Sequence, residues 1–157
     1  MTGAGLFAIL DTLCRHETRF VLIGGMAASI HGLPVVTFDV DIVYEISDEN
    51  IDRLLEALTE LGAHFRQKPE LQPRRAHLVE RGHKLMMTST GPLDVLGYAG
   101  MNRDFASIAA DAMPLAIPGG ATVLTASLAT LALIKREVGR PKDLAMLQLI
   151  EARLRQG

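Results

Sequence analysis

The sequence predicts an α/β (α+β) fold, a mixed central sheet flanked by helices and closed by a C-terminal helix pair. Three observations predict it. Short apolar runs such as Phe20 to Ile23 and Leu93 to Leu96 alternate with longer segments whose apolar residues recur at helical spacing. Gly and Pro mark the boundaries between them, with no repeats and no low-complexity linker. The chain has 157 residues, 48% hydrophobic and 22% charged, an ordinary balance for one domain with a sizeable core. A single domain over 1–157 is expected, its core at about 18–125 and its closing helices at 127–155.

The elements follow in order. Leu6, Ile9, Leu10 and Leu13 form a helical stripe over Leu6 to His16. Phe20 to Ile23 reads as a strand, Gly25 to His31 as a short helix, and Thr37 to Tyr44 as a second strand after the turn at Gly32 and Pro34. Ser47 is an N-cap with Asp48 and Glu49 in the first turn, and this helix runs through Ile51, Leu54, Leu55 and Leu58 to a stop at Gly62. Ala63 to Phe65 reads as a short strand, 66–75 as a polar, basic loop, and His77 to Glu80 and Lys84 to Thr88 as two strands joined at Arg81-Gly82. Leu93 to Leu96 follows the Gly91-Pro92 turn. Pro114 to Ile117 and Ala121 to Leu124 pair around Pro118-Gly119-Gly120. Two helices finish the chain, Ser127 to Val138 and Pro141 to Arg155, with Pro141 in a favourable first-turn position.

Composition removes several classes of function. A net charge of −2 supplies no global basic field to attract nucleic acid or an anionic membrane, so a polynucleotide would have to meet a local patch. The single cysteine, Cys14, cannot form an internal disulfide, which suits a reducing cytoplasm. No signal-peptide pattern is present, and the uncharged run Met113 to Ile134 is broken by Pro114, Pro118 and Gly119-Gly120. A cytoplasmic protein without a membrane span is the expectation.

The chemistry is concentrated between residues 23 and 42. Ile23-Gly24-Gly25 ends one strand and opens a helix, exposing backbone N–H groups suited to a phosphate. Asp39 and Asp41 lie two apart, so in a strand both point one way while Val40 and Ile42 point into the core. Two such carboxylates repel, more so when buried, and a shared divalent cation resolves the conflict. Asp94, in the apolar context Leu93-Asp94-Val95-Leu96, is a third acid; alone it reads equally as a cap on the Gly91-Pro92 turn.

At Ile23-Gly24-Gly25, the spacer from Met26 to Phe38 and Asp39-Val40-Asp41-Ile42, the chain resembles the nucleotidyltransferase superfamily of polymerase-β-like fold. His31-Gly32-Leu33-Pro34 and Thr37 also fit, in the manner of small bacterial abortive-infection and type IV toxin–antitoxin enzymes. Val35 departs from that branch, which often has arginine there. The resemblance implies transfer of a nucleoside monophosphate from an NTP to an acceptor hydroxyl with Mg²⁺ or Mn²⁺. Asp39, Asp41 and Asp94 are then catalytic and metal-holding; Gly24, Gly25, Thr37, Lys135, Arg140 and Lys142 handle nucleotide phosphates. By the same resemblance Asp143 orients one of the lysines. The implied acceptor is tRNA or another RNA 3′ end, a protein or a small molecule, with a homodimer or an antitoxin as possible partner. The alternative is an inactive nucleotide-binding or partner-binding module of the same fold.

Other candidates favour plain readings. Arg136 complements a helix dipole. His31 before a Gly turn reads as a structural hydrogen-bonder, and His64, His77 and His83 lack zinc-ligand spacing. Arg66, Lys68, Arg74 and Arg75 lie on the basic loop, where they read as solvated charge rather than an RNA track, since aromatic residues are only 4% of the chain. Ser29 lacks an acid–base partner for nucleophilic chemistry.

Overall fold

A computed structural model describes residues 3–157. Its helices are α1 (Gly3–Arg15), α2 (Gly24–Ile30), α3 (Asp48–Glu60), α4 (Arg75–Leu78), α5 (Phe105–Ala109), α6 (Leu128–Val138) and α7 (Pro141–Gln156). Its strands are β1 (Phe20–Ile23), β2 (Val40–Tyr44), β3 (His64–Phe65), β4 (His83–Thr88), β5 (Gly91–Leu96), β6 (Met113–Ala116) and β7 (Thr122–Thr125). The strands form one mixed sheet in the order β3-β4-β5-β2-β1-β7-β6. The pairs β2/β5 and β1/β7 are parallel; the other four are antiparallel.

The centre of the sheet is its driest part. All four β1 side chains are buried, as are Val40, Ile42, Val43, Leu93 and Val95, so helices must cover both faces. α1 lies on β5 and β7 beside α3, while α2 packs on β1 and β2 and against α6. The stripe Leu6, Ile9, Leu10 and Leu13 is buried as its spacing requires. Ser47 caps α3 by accepting from the Asn50 N–H at 3.4 Å. At the α6/α7 break, Gly139 takes the left-handed conformation (φ 68°) that ends one helix, and Pro141 opens the next.

Four expectations need correction. His77 to Glu80 is not a strand: residues 75–78 form α4, where His77 Nδ1 accepts from the Arg74 N–H at 2.9 Å and its ring packs edge-on against Phe65. Local capping outweighs the short apolar alternation there. β2 starts at Val40, so residues 37–39 precede the ladder, with Thr37 Oγ1 bonded to the Asp39 carbonyl at 3.1 Å. Helix α5 has no counterpart among the expected elements; Asp104 caps it through the Ser107 N–H at 2.9 Å. β3, at His64–Phe65, is shorter by one residue than its expected span.

A buried lysine is a further departure. Lys84 is 5% exposed on β4, and its Nζ donates to the Tyr44 hydroxyl at 2.9 Å and to the Glu80 carbonyl. Tyr44 in turn donates to the Leu78 carbonyl at 2.6 Å. Burial pulls the Lys84 ammonium down to about 8, against a weaker upward pull from Glu80.

Candidate active site

β1 and β2 are antiparallel neighbours, and Ile23 faces Asp41 in their register. The chain therefore leaves β1 beside Asp41 and turns at Gly24, whose φ is +73°. A Cβ on Gly24 would stand 2.2 Å from Asp41 Oδ2. Glycine is required there twice over, for its backbone conformation and for room beside the carboxylate. Gly25 is close too: a Cβ would lie 3.1 Å from Thr37.

β2 and β5 run parallel with Asp41 opposite Asp94. This register brings the third acid to the first pair, although Asp94 lies 53 residues beyond Asp41 in sequence (94 less 41). Asp39, just before β2, completes the group: one ligand oxygen from each of the three carboxylates lies within 4.8 Å of the others. No other cluster of this kind occurs among the described residues. All three side chains are half-buried at the floor of a cleft of about 560 Å³.

Burial pushes the Asp41 carboxyl well above the ordinary carboxylate range, and the charges of Asp39 and Asp94 push it further. Asp39 is also raised, first by burial and then by Asp94, with Arg66, Lys142 and Thr37 pulling the other way. Three crowded acids without a cation are therefore under electrostatic strain. An oxygen-only donor set of this density fits a hard divalent ion such as Mg²⁺ or Mn²⁺.

The other wall of the cleft comes from the α6/α7 break. Asp143 is 1% exposed and accepts from Lys135 Nζ at 3.0 Å and Arg140 Nε at 2.8 Å. Burial pushes the Asp143 carboxyl up, but the bonds from Arg140 and Lys135 outweigh it and hold it at about 2. Lys142 also lines the cleft and forms no ion pair among the described residues. Gly25, Thr37, Lys135, Arg140 and Lys142 thus share one cleft with the acids, and Gly24 buttresses its floor. Arg136 pairs instead with Glu151 at 2.6 Å, and His31 bonds the Ala126 carbonyl at 2.8 Å, both structural.

Arg66 belongs to the site although it reads from sequence as one more solvated loop cation. It directly follows β3, pairs by its backbone with Leu85 on β4, and reaches over that strand to β5. Its Nη2 donates to Asp94 Oδ1 at 2.5 Å and to the Met86 carbonyl at 2.9 Å. The only available signal was its place immediately after a short strand. Arg75, from the same loop, is taken up by Asp48 and Asp52.

Neither protein-family profiles nor curated sequences match this chain. Six solved chains match it by structure. One is a candidate nucleotidyltransferase from Thermotoga maritima, which aligns over 91% of this chain and 88% of its own at a TM-score of 0.56 and 16% identity. The chain has the nucleotidyltransferase fold, with a seven-stranded mixed sheet in which Asp41 and Asp94 lie on adjacent strands and Asp39 just before one of them. None of its helices is long and apolar enough to cross a membrane.

Proposed function

We propose that this protein is a metal-dependent nucleotidyltransferase that moves a nucleoside monophosphate from an NTP to an acceptor hydroxyl. The observation that carries the reading is the convergence of Asp39, Asp41 and Asp94 in a cleft whose opposite wall is cationic. The three carboxylates would hold Mg²⁺ or Mn²⁺, which when bound supplies positive charge at the phosphate oxygens and acidifies a nearby hydroxyl. In the transfer, the acceptor oxygen bonds to the α-phosphorus as the bond from that phosphorus to the β-bridging oxygen breaks, releasing pyrophosphate. A carboxylate oxygen of Asp94 accepts the proton of the acceptor hydroxyl. Lys142 and Lys135 face the charge that develops on the leaving pyrophosphate, with Arg140 beside them. Asp143 positions Lys135 and Arg140 through the bonds it accepts from each. Gly25 and Thr37 line the triphosphate side of the cleft, with Gly24 behind them against Asp41.

Transfer of label from each α-³²P NTP into RNA, protein or small-molecule acceptors, with Mg²⁺ or Mn²⁺, tests this reading. Label should enter one acceptor class and disappear with Asp39→Asn. NTP binding without transfer to any acceptor would replace the enzyme with a nucleotide-binding module. The toxin–antitoxin reading rests on the resemblance of the Gly-Gly and Asp-x-Asp segments, and RNA as the labelled class would favour it.

A further inference from the structure

Arg66 sits where a positive charge conflicts with the proposed chemistry. Its Nη2 holds Asp94 Oδ1 at 2.5 Å, so an oxygen of the third acid already has a cationic partner. The same nitrogen is anchored to the Met86 carbonyl at 2.9 Å, and Nε is buried without a hydrogen-bond partner. Of the five side-chain N–H donors, those on Nη2 carry both bonds. The Arg66 and Asp94 side chains are 33% and 17% exposed, so water screens the pair less than a surface ion pair. Lys135, Arg140 and Asp143, on the far wall, form a separate ion-pair group that leaves Asp94 to Arg66.

We infer that Arg66 is a resident counter-cation of the acidic cluster, which competes with a divalent ion for Asp94 and must release that carboxylate when the ion binds. The inference rests on the reading of the three acids as a metal centre. It follows from electroneutrality. Three carboxylates within 4.8 Å of one another favour a cation in their midst, and a guanidinium on one of them weakens the field that a second cation would feel. Release requires little movement of the chain. The Met86 carbonyl retains Nη2, and the freed guanidinium remains on the lining of the cleft. Arg66 is thus a positioning residue: it sets how tightly the site takes its ion and keeps the third acid neutralised until then.

Mn²⁺ binding, followed by the loss of the free-ion electron paramagnetic resonance signal, tests this without any substrate. Wild type, Arg66→Gln, Arg66→Met and Asp39→Asn are titrated with MnCl₂ after chelator treatment. The two neutral Arg66 variants retain different parts of the side chain, so one can serve if the other fails to fold. Arg66→Gln and Arg66→Met should bind Mn²⁺ roughly tenfold more tightly than wild type, as expected when a close, partly buried cation is removed. Asp39→Asn should lose the site. Unchanged or weaker binding in the folded Arg66 variants, with wild-type binding that Asp39→Asn abolishes, overturns the competition while leaving the metal centre intact. Absence of Asp39-dependent Mn²⁺ binding in wild type and in both Arg66 variants overturns the metal centre and the competition together. Binding detectable only in the Arg66 variants supports competition most strongly.

Discussion

Replacing Asp41 with asparagine should stabilise the metal-free protein, because the wild-type side chain is held against its neighbours rather than by them. Oxygens from Asp39, Asp41 and Asp94 lie within 4.8 Å of one another. At an effective dielectric of about 20, each fully ionised pair at that separation costs roughly 3 kcal/mol. Arg66 on Asp94 and the charge of Lys135 near Asp41 offset part of this, and so does protonation of Asp41 itself. A net gain of about 1–3 kcal/mol remains for Asp41→Asn at pH 8 in EDTA, which for a chain of this size is roughly 3–8 °C in Tm. The sign of the pH dependence follows from linkage. The folded-state pKa of Asp41 is raised, so the native state binds the extra proton and the wild type recovers stability as pH falls through that raised value. The advantage of the variant should therefore narrow as the pH is lowered from 8. Excess Mg²⁺ should reverse the order, since only the wild type retains the full donor set. Thermal melts at these conditions decide the matter. A variant less stable than wild type at pH 8 in EDTA would show that neighbouring cations already satisfy Asp41, and the repulsion argument would be refuted.

Other perturbations probe separate parts of the fold. Gly24→Ala should cost about 1–3 kcal/mol from left-handed strain and the clash with Asp41, and should abolish Mn²⁺ binding; chemical denaturation and metal titration check both. Asp143→Asn, by taking the buried carboxylate away from half-buried Lys135 and exposed Arg140, should destabilise by about 1–3 kcal/mol in denaturant melts. Because the Asp143 pKa is depressed to about 2, its contribution is present above the ordinary aspartate value and is lost as pH falls toward 2, so the variant should show a weaker acid-induced loss. Lys84→Met should raise stability below pH 8 by about 1–3 kcal/mol, since buried Lys84 forms no ion pair among the described residues and the pull of Glu80 does not offset its burial. Its folded-state pKa is lowered to about 8, so the wild type gains stability between pH 8 and 10.5 and the gap to Lys84→Met should close there, as read by melts across that range.

Much of the site was legible in the chain because its signals are local. Gly24-Gly25 must turn between strand and helix, and the Asp39-x-Asp41 spacing brings two carboxylates together whether or not Asp39 lies within the ladder. The helix break at Gly139-Arg140-Pro141 and the cap at Ser47 also depend only on neighbouring residues. The failures have the same cause in reverse. His77 to Glu80 alternates like a strand, but the ring of Phe65 and the cap at Arg74 hold 75–78 in a helix. Lys84 looks like an ordinary strand lysine until Tyr44, forty residues away, and the Glu80 carbonyl enclose its ammonium.

The sequence by itself determined the alternating elements, the glycine turn and the acid pair, since each follows from backbone preference and side-chain period within a few residues. Tertiary structure decided which distant groups join that pair. Asp94 arrives because β2 and β5 run parallel in a register that sets it opposite Asp41. Arg66 arrives because β3 lies at the outer edge of β4, from which a long side chain spans one strand to β5. Strand order and register are settled by burial of the whole sheet, a sum over many weak contacts, and no short stretch of residues carries that information.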